Sequence, residues 1–327
     1  MPPLTRGRMH RLYPEIQPYL EEVMTTNDSH HHLWVAHFGN PQGLPVICLH
    51  GGPGAGTSPL MHRFFDPETY QIVCFDQRGC GRSQPSGSLH SNTTDLLLDD
   101  LDQITTRYNL LRYALFGGSW GATLALLCAA RHPDRCLGVV LRGVFLNMES
   151  NLEWMYGHGA SEMYPAAWAD FMAPIECQTK SFHEVLNAYR HLLHADDEFT
   201  RLQAARAWNL WEYRLSIGDS QAKKTSRFSP NAELAHAQIE HHYLSQNCFL
   251  DPTTFSDPNA EIALLPMVLL HGANDHVCPL SNAVRMKELY PALKLRVLDQ
   301  AGHCAFSPQM AEGLCEATQE LATLYGH

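Results

Sequence analysis

Basic residues are scarce in this chain and never cluster. Lys and Arg number 23 against 34 Asp and Glu, a formal charge of −11 over 327 residues. Without a run of cations to neutralise phosphates, nucleic acid is excluded as a partner. Long apolar runs are also missing. Stretches such as "LALLCAA" fall far below the ~18 residues of a membrane span, and "MPPLTRGRMHRLYPEIQPYL" holds no apolar signal core. No membrane partner is expected, and the chain reads as cytoplasmic. No C-x-x-C pair occurs among the ten cysteines, at 48, 74, 80, 128, 136, 177, 248, 278, 304 and 315. Several sit inside apolar runs such as "VICLH" and "IVCFD", so they read as reduced, mostly buried thiols rather than a disulfide framework. Neither G-x-x-x-x-G-K-[ST] nor G-x-G-x-x-G is present, which disfavours a phosphate loop. The consecutive His30, His31 and His32 cannot all converge on one ion from a strand or helix. They read as solvated side chains, and no metal or organic cofactor is implied.

What is present suits a sizeable core, since 45% of the residues are apolar. Short β-branched or apolar runs predict strands over 46–49, 72–75, 113–116, 137–142, 267–270 and 295–298. Helical spacing predicts helices over 95–108, 122–131 and 281–290. Strand and helix alternate, which implies an α/β fold: a mostly parallel sheet with helices on both faces. The alternation stops near Leu146 and resumes near Ile262. Between them, segments such as "SFHEVLNAYRHLLH", "EFTRLQAARAWNLWEYRL" and "NAELAHAQIEHHYL" read as an inserted helical cap. The expected division is core residues 1–146, cap 147–258 and core again 259–327.

Ser119 stands in "GGSWG", a G-x-S-x-G pattern between an apolar strand and a helix. A sharp strand-to-helix turn holds such a serine in a strained conformation, and only small residues two before and two after it avoid collision. The turn exposes the hydroxyl and aims the helix N-terminus at a reacting carbonyl. Upstream, "LHGGPGAG" follows a strand and can supply a second backbone donor, so Gly52 and Trp120 form the expected oxyanion pair. A serine needs a base, and that base needs an orienting carboxylate. In the order Ser, Asp, His that this architecture requires, Asp275 follows one late strand and His303 the last one. His50, His271 and His276 are rivals among 20 histidines, and Asp299 rivals Asp275.

Taken together, "HGGPGAG", "FDQRGCGRS", "NTT", "GGSWGATLAL" and "LRGVFL" resemble the proline iminopeptidases, serine peptidases of the α/β-hydrolase fold, from "LYPEIQPY" to "AGHCAF". The resemblance implies Ser119 as nucleophile, Asp275 as orienting acid and His303 as base. It further implies that Glu212 in "WNLWE" and Glu240 in "QIEHHY" hold a free N-terminal amine, while Phe145 and Cys278 line the pocket for the proline ring. An amine of pKa about 8 is mostly cationic at neutral pH, and a dry pocket can take it only against opposite charge. The implied substrates are peptides with an unblocked N-terminal proline, cleaved without a cofactor. Departures from the family pattern are "HGAND", "AGHC", Ser307, Gln238 and Met155. The alternatives are a broader esterase or amidase using the same triad, and a non-catalytic scaffold that binds ligands.

Overall fold

The computed structural model describes residues 12–175, 181–218 and 229–326. Eight strands pair into one sheet: β1 (Leu20–Thr25), β2 (His32–Gly39), β3 (Leu44–Leu49), β4 (Tyr70–Phe75), β5 (Tyr113–Gly118), β6 (Cys136–Arg142), β7 (Met267–Gly272) and β8 (Lys294–Leu298). Their order across the sheet is β1-β2-β4-β3-β5-β6-β7-β8. The pairings of β1 with β2 and of β2 with β4 are antiparallel, and every other pairing is parallel. All six strands predicted from apolar runs are present, extended by one or two residues. Two more precede them. β1 alternates exposed Glu21 and Val23 with more buried neighbours at the sheet edge, so it never forms an apolar run.

The helices α1 (Thr94–Arg107), α2 (Trp120–Arg131), α9 (Leu280–Leu289) and α10 (Pro308–Thr323) flank the sheet. α2 is apolar nearly all round and buried from Trp120 to Ala129 save for a partly exposed Leu127, as a helix sandwiched behind a central strand must be. α10 was not among the predicted helices, although its buried residues, Met310, Ala311, Leu314, Cys315, Thr318 and Leu321, recur at helical spacing. Between β6 and β7 the described chain is helical: α3 (Glu149–Tyr156), α4 (Ala160–Met163), α5 (Pro165–Met172), α6 (Phe182–Leu193), α7 (Glu198–Ile217) and α8 (Pro230–Ser245). Aromatic rings knit these helices together. Tyr156 stacks on Trp208 at 4.8 Å, and Phe171 stacks on Tyr189 at 4.7 Å.

Nine cysteines are free thiols; Cys304 is half-buried and the other eight are buried, while Cys177 lies outside the described residues. The solvated reading of the histidine run needs correction. His30 and His32 are exposed, but His31 is fully buried, with Nε2 2.7 Å from the His90 carbonyl. Among the described residues no helix is long and apolar enough to cross a membrane.

A buried ion pair ties the loop after β4 to α1. Arg78 forks onto Asp100 with two bonds of 2.7 Å and reaches the Ser91 carbonyl at 2.6 Å; both charged side chains are 2% exposed. A bidentate fork suits a planar carboxylate, and losing the cation would strand the anion in a dry site. Arg78→Met is therefore expected to cost about 3–5 kcal/mol. The measurement is a lowered urea midpoint at unchanged m-value; a midpoint within error of the parent would contradict it.

Candidate active site

The turn between β5 and α2 carries Ser119 at φ 57°, ψ −125°, a region that L-residues rarely occupy. Holding it there costs on the order of 1–3 kcal/mol, so the surroundings must enforce it. They do so sterically and by hydrogen bonds. A side chain at Gly117 would overlap the Gly121 carbonyl, and one at Gly121 would overlap the Leu49 carbonyl. The Ser119 N–H donates to the Arg142 carbonyl of β6 at 2.9 Å, and the Ser119 carbonyl accepts from Ala122 N–H at 3.0 Å. Trp120 opens α2, so its N–H is among the donors that have no partner within the helix.

The glycine loop after β3 is fastened from behind. The Trp120 ring N–H donates to Gln77 Oε1 at 3.0 Å, Gln77 Nε2 donates to the His50 carbonyl at 2.9 Å, and Gln77 N–H donates to His50 Nε2 at 3.0 Å. His50 Nε2 is thereby an acceptor, so Nδ1 carries the proton toward the Gly51 carbonyl 3.0 Å away. Asp76 takes the Thr57 N–H at 2.6 Å and Arg82 Nε at 2.8 Å, while Arg82 lies 3.2 Å over the Trp34 ring. The "DQRG" and "GRS" residues thus position the loop that carries Gly52, a role invisible in the motif itself.

Asp275 and His303 meet although they lie on separate loops. His303 Nδ1 is 2.7 Å from Asp275 Oδ2, while Asp275 Oδ1 accepts the N–H groups of Val277 at 3.0 Å and Cys278 at 2.8 Å. Gly143, at φ 51°, leaves them room, since a Cβ there would stand 2.9 Å from Asp275 Oδ2 and 3.1 Å from His303 Nδ1. Burial alone would raise the Asp275 carboxyl, but the hydrogen-bonded His303, with His271 and the Cys278 N–H, holds it below its ordinary value. Burial lowers His303, and the Arg142 cation adds to this against the pull of Asp275. Arg142 itself donates from Nη1 to the His303 carbonyl at 2.7 Å. None of the rivals takes the place of His303 or Asp275 in this pair. His271 Nε2 is 2.9 Å from the Cys278 carbonyl, His276 Nδ1 is 2.5 Å from the Tyr164 hydroxyl, and Asp299 is exposed.

Ser119 and His303 open onto a cavity of about 470 Å³ that Gly51 and Gly52 also line. Its other walls bring in Phe145, Cys278, Glu212 and Glu240. Trp120 contributes no side chain there, its ring being fully buried. Glu212 and Glu240 are hydrogen-bonded to each other; Tyr156 hydroxyl donates to Glu212 and Trp208 Nε1 donates to Glu240 Oε2 at 2.9 Å. Carboxylate oxygens only accept, so a hydrogen bond between the two side chains requires one proton between them; burial raises both carboxyls, and the Glu212 charge raises Glu240 further. Residues that the sequence reading missed are Tyr156, Arg142, Asn209 and His236, the last four positions before Glu240. That i,i+4 spacing on a helix was the available signal.

The alpha/beta hydrolase fold family matches residues 45–308. The chain is 42% identical to the proline iminopeptidase of Xylella fastidiosa, strain Temecula1, over 95% of its own length and 99% of that protein. It is 36% identical to the Arabidopsis thaliana proline iminopeptidase over 96% of its length and 83% of the relative. The crystal structure of Mycobacterium smegmatis proline iminopeptidase superposes with a TM-score of 0.57 at 19% identity, covering 93% of this chain and 100% of that one, a likeness of fold.

The acidic pair has a thermodynamic consequence. A carboxyl whose folded pKa exceeds its unfolded value binds its proton more tightly when folded, so its stabilisation is full below the ordinary carboxylate range and is lost as pH rises. Glu240→Gln removes that loss. The variant is expected to melt progressively higher than the parent as pH is raised from about 5 to about 8. Thermal denaturation at several pH values checks this, and a constant difference would refute it.

Proposed function

The chain belongs to the proline iminopeptidase family of the alpha/beta hydrolase fold, and from that premise we propose that it releases proline from peptide N-termini through a prolyl-enzyme on Ser119. The supporting observation is one cavity lined by Ser119, by the Asp275-bound His303, by the buried Glu240 and by the half-buried Glu212. Ser119 attacks the prolyl carbonyl while His303 takes its proton, and Asp275 holds the imidazole in the required tautomer. Backbone N–H groups of Trp120 and Gly52 receive the oxyanion. His303 then protonates the departing peptide amine and afterwards activates the water that frees proline.

Glu212 and Glu240 hold the cationic imino group and so set the distance between chain terminus and scissile bond. This makes the enzyme an aminopeptidase rather than an endopeptidase. Phe145 and Cys278 pack beside the pyrrolidine ring. Residues 147–258 form the cap that brings in both glutamates, over a core of residues 1–146 and 259–327. A blocked terminus would leave buried carboxylates without their cation, which penalises such substrates on the order of 10⁴-fold. The reduced thiols fit a cytoplasmic location.

Ser119→Ala is expected to abolish hydrolysis of a prolyl anilide, a loss on the order of 10⁶ in kcat. Glu212→Gln and Glu240→Gln should each lower kcat/KM by about 10²-fold or more, and compress the preference for free over acetylated prolyl anilide. An unchanged preference would refute the amine-site reading. The base must be neutral to act, and its imidazole is held low. The acidic limb of kcat/KM should therefore have its midpoint below about 6.5, the ordinary histidine value. Arg142→Gln, which removes a cation that lowers His303, should move that midpoint upward. A limb that stays put in this variant would count against the assignment.

A further inference from the structure

His236 of α8 has one nitrogen accounted for and one left over. Asn209 Nδ2 donates to the carbonyls of Ala205 at 2.7 Å and Glu233 at 2.9 Å, so Asn209 Oδ1 is the atom that meets His236 Nδ1 at 2.5 Å. Nδ1 must carry a proton to make that bond, and Nε2 of the neutral ring is a bare lone pair. Nε2 is buried, has no hydrogen-bond partner among the described residues, and lies 3.6 Å from Glu240 Oε2. An orphaned acceptor beside a carboxyl that shares a proton calls for a partner.

We propose that His236 Nε2 takes up the proton shared by Glu212 and Glu240 when the substrate ammonium enters, freeing both carboxylates to accept from the amine. This rests on the reading of that pair as the amine site. The secondary ammonium of proline has two N–H groups, which two carboxylates match, whereas a retained carboxyl O–H would occupy one acceptor. In the transfer the O–H bond of Glu240 breaks with its electron pair left on oxygen, and an N–H bond forms at Nε2. The cluster passes from one carboxylate, one carboxyl and a neutral imidazole to two carboxylates and an imidazolium. Net charge changes only by that of the ligand, and no proton leaves for solvent. Bringing Nε2 to hydrogen-bond distance of Glu240 takes a shift of roughly 0.6 Å.

Glu240 of its own helix lies 3.6 Å from His236 Nε2, and Glu233, Arg206 and Glu212 line the same cavity, while His50 after β3 is close enough to act on its charge. Burial together with His50 pushes the free imidazole down to about 4, which keeps it neutral until the amine arrives.

The test counts protons. Calorimetry of prolinamide binding to the full-length Ser119→Ala protein, at about pH 6.5 where the amine is cationic, is repeated in buffers of differing ionisation enthalpy. Binding should be proton-neutral in that protein, and should release close to one proton in Ser119→Ala/His236→Gln. Equal proton counts in both would overturn the proposal. Should the double variant fail to fold, the ¹⁵N resonance of His236 Nε2 in the Ser119→Ala protein decides. It should move from the unprotonated to the protonated range as prolinamide saturates the site, and a stationary resonance overturns the transfer. If Glu212→Gln and Glu240→Gln in the Ser119→Ala background bind prolinamide as tightly as their parent, it is the amine-site reading that fails, whatever the proton count.

Discussion

The left-handed backbone at Ser119 is the constraint on which the rest of the molecule depends. A residue held at φ 57° must be over-determined by its neighbours, and here the close approach of Leu49, Gly121 and Arg142 leaves no other path for the chain. That approach requires three adjacent parallel strands, β3, β5 and β6, to end at the same level of the sheet. It also requires α2 to begin at once, so that unpaired helix N–H groups lie next to the hydroxyl. The glycines of the motif follow from this geometry, and so does the placement of the site at the carboxyl ends of the strands.

A second constraint opposes folding instead of serving it. Two carboxyls buried side by side are costly wherever their charge is unpaired. The helical segment tolerates them because they hydrogen-bond to each other through a proton and two donors, the Tyr156 hydroxyl and the Trp208 ring N–H, are aimed at them. What destabilises the empty protein is what the proposed substrate amine relieves. Binding energy is thus concentrated at the end of the substrate that tells a free N-terminus from an internal residue.

Much of the sheet was legible because a buried parallel strand must be a short apolar run, and six such runs stand in the sequence. β1 escaped because an edge strand shows charged side chains to water, whereas the buried positions of α10 do recur at helical spacing and were legible. Ser119 was legible through sterics: glycines two before and two after a serine mean the same thing in any chain. Asp275 and His303 could be named only by counting strands. The roles of Glu212 and Glu240 came from resemblance, since a glutamate on a helix reads as solvated until the helix is packed.

His236 and Arg142 mark the limit of that reading. Only its position one helical turn before Glu240 separates His236 from the other histidines of this chain, and that spacing says nothing of an unpartnered nitrogen; nothing in "LRGVF" says that its arginine will lie behind His303. The sequence by itself determined the alternation of strand and helix, the turn around Ser119 and the order in which nucleophile, acid and base appear. These depend on near-neighbour sterics and hydrophobic period, which are local properties. Only the tertiary structure decided that a glutamate pair would share one proton beside an unpartnered imidazole nitrogen. Protonation depends on burial and on charges brought together from distant parts of the chain, and neither exists before the chain is folded.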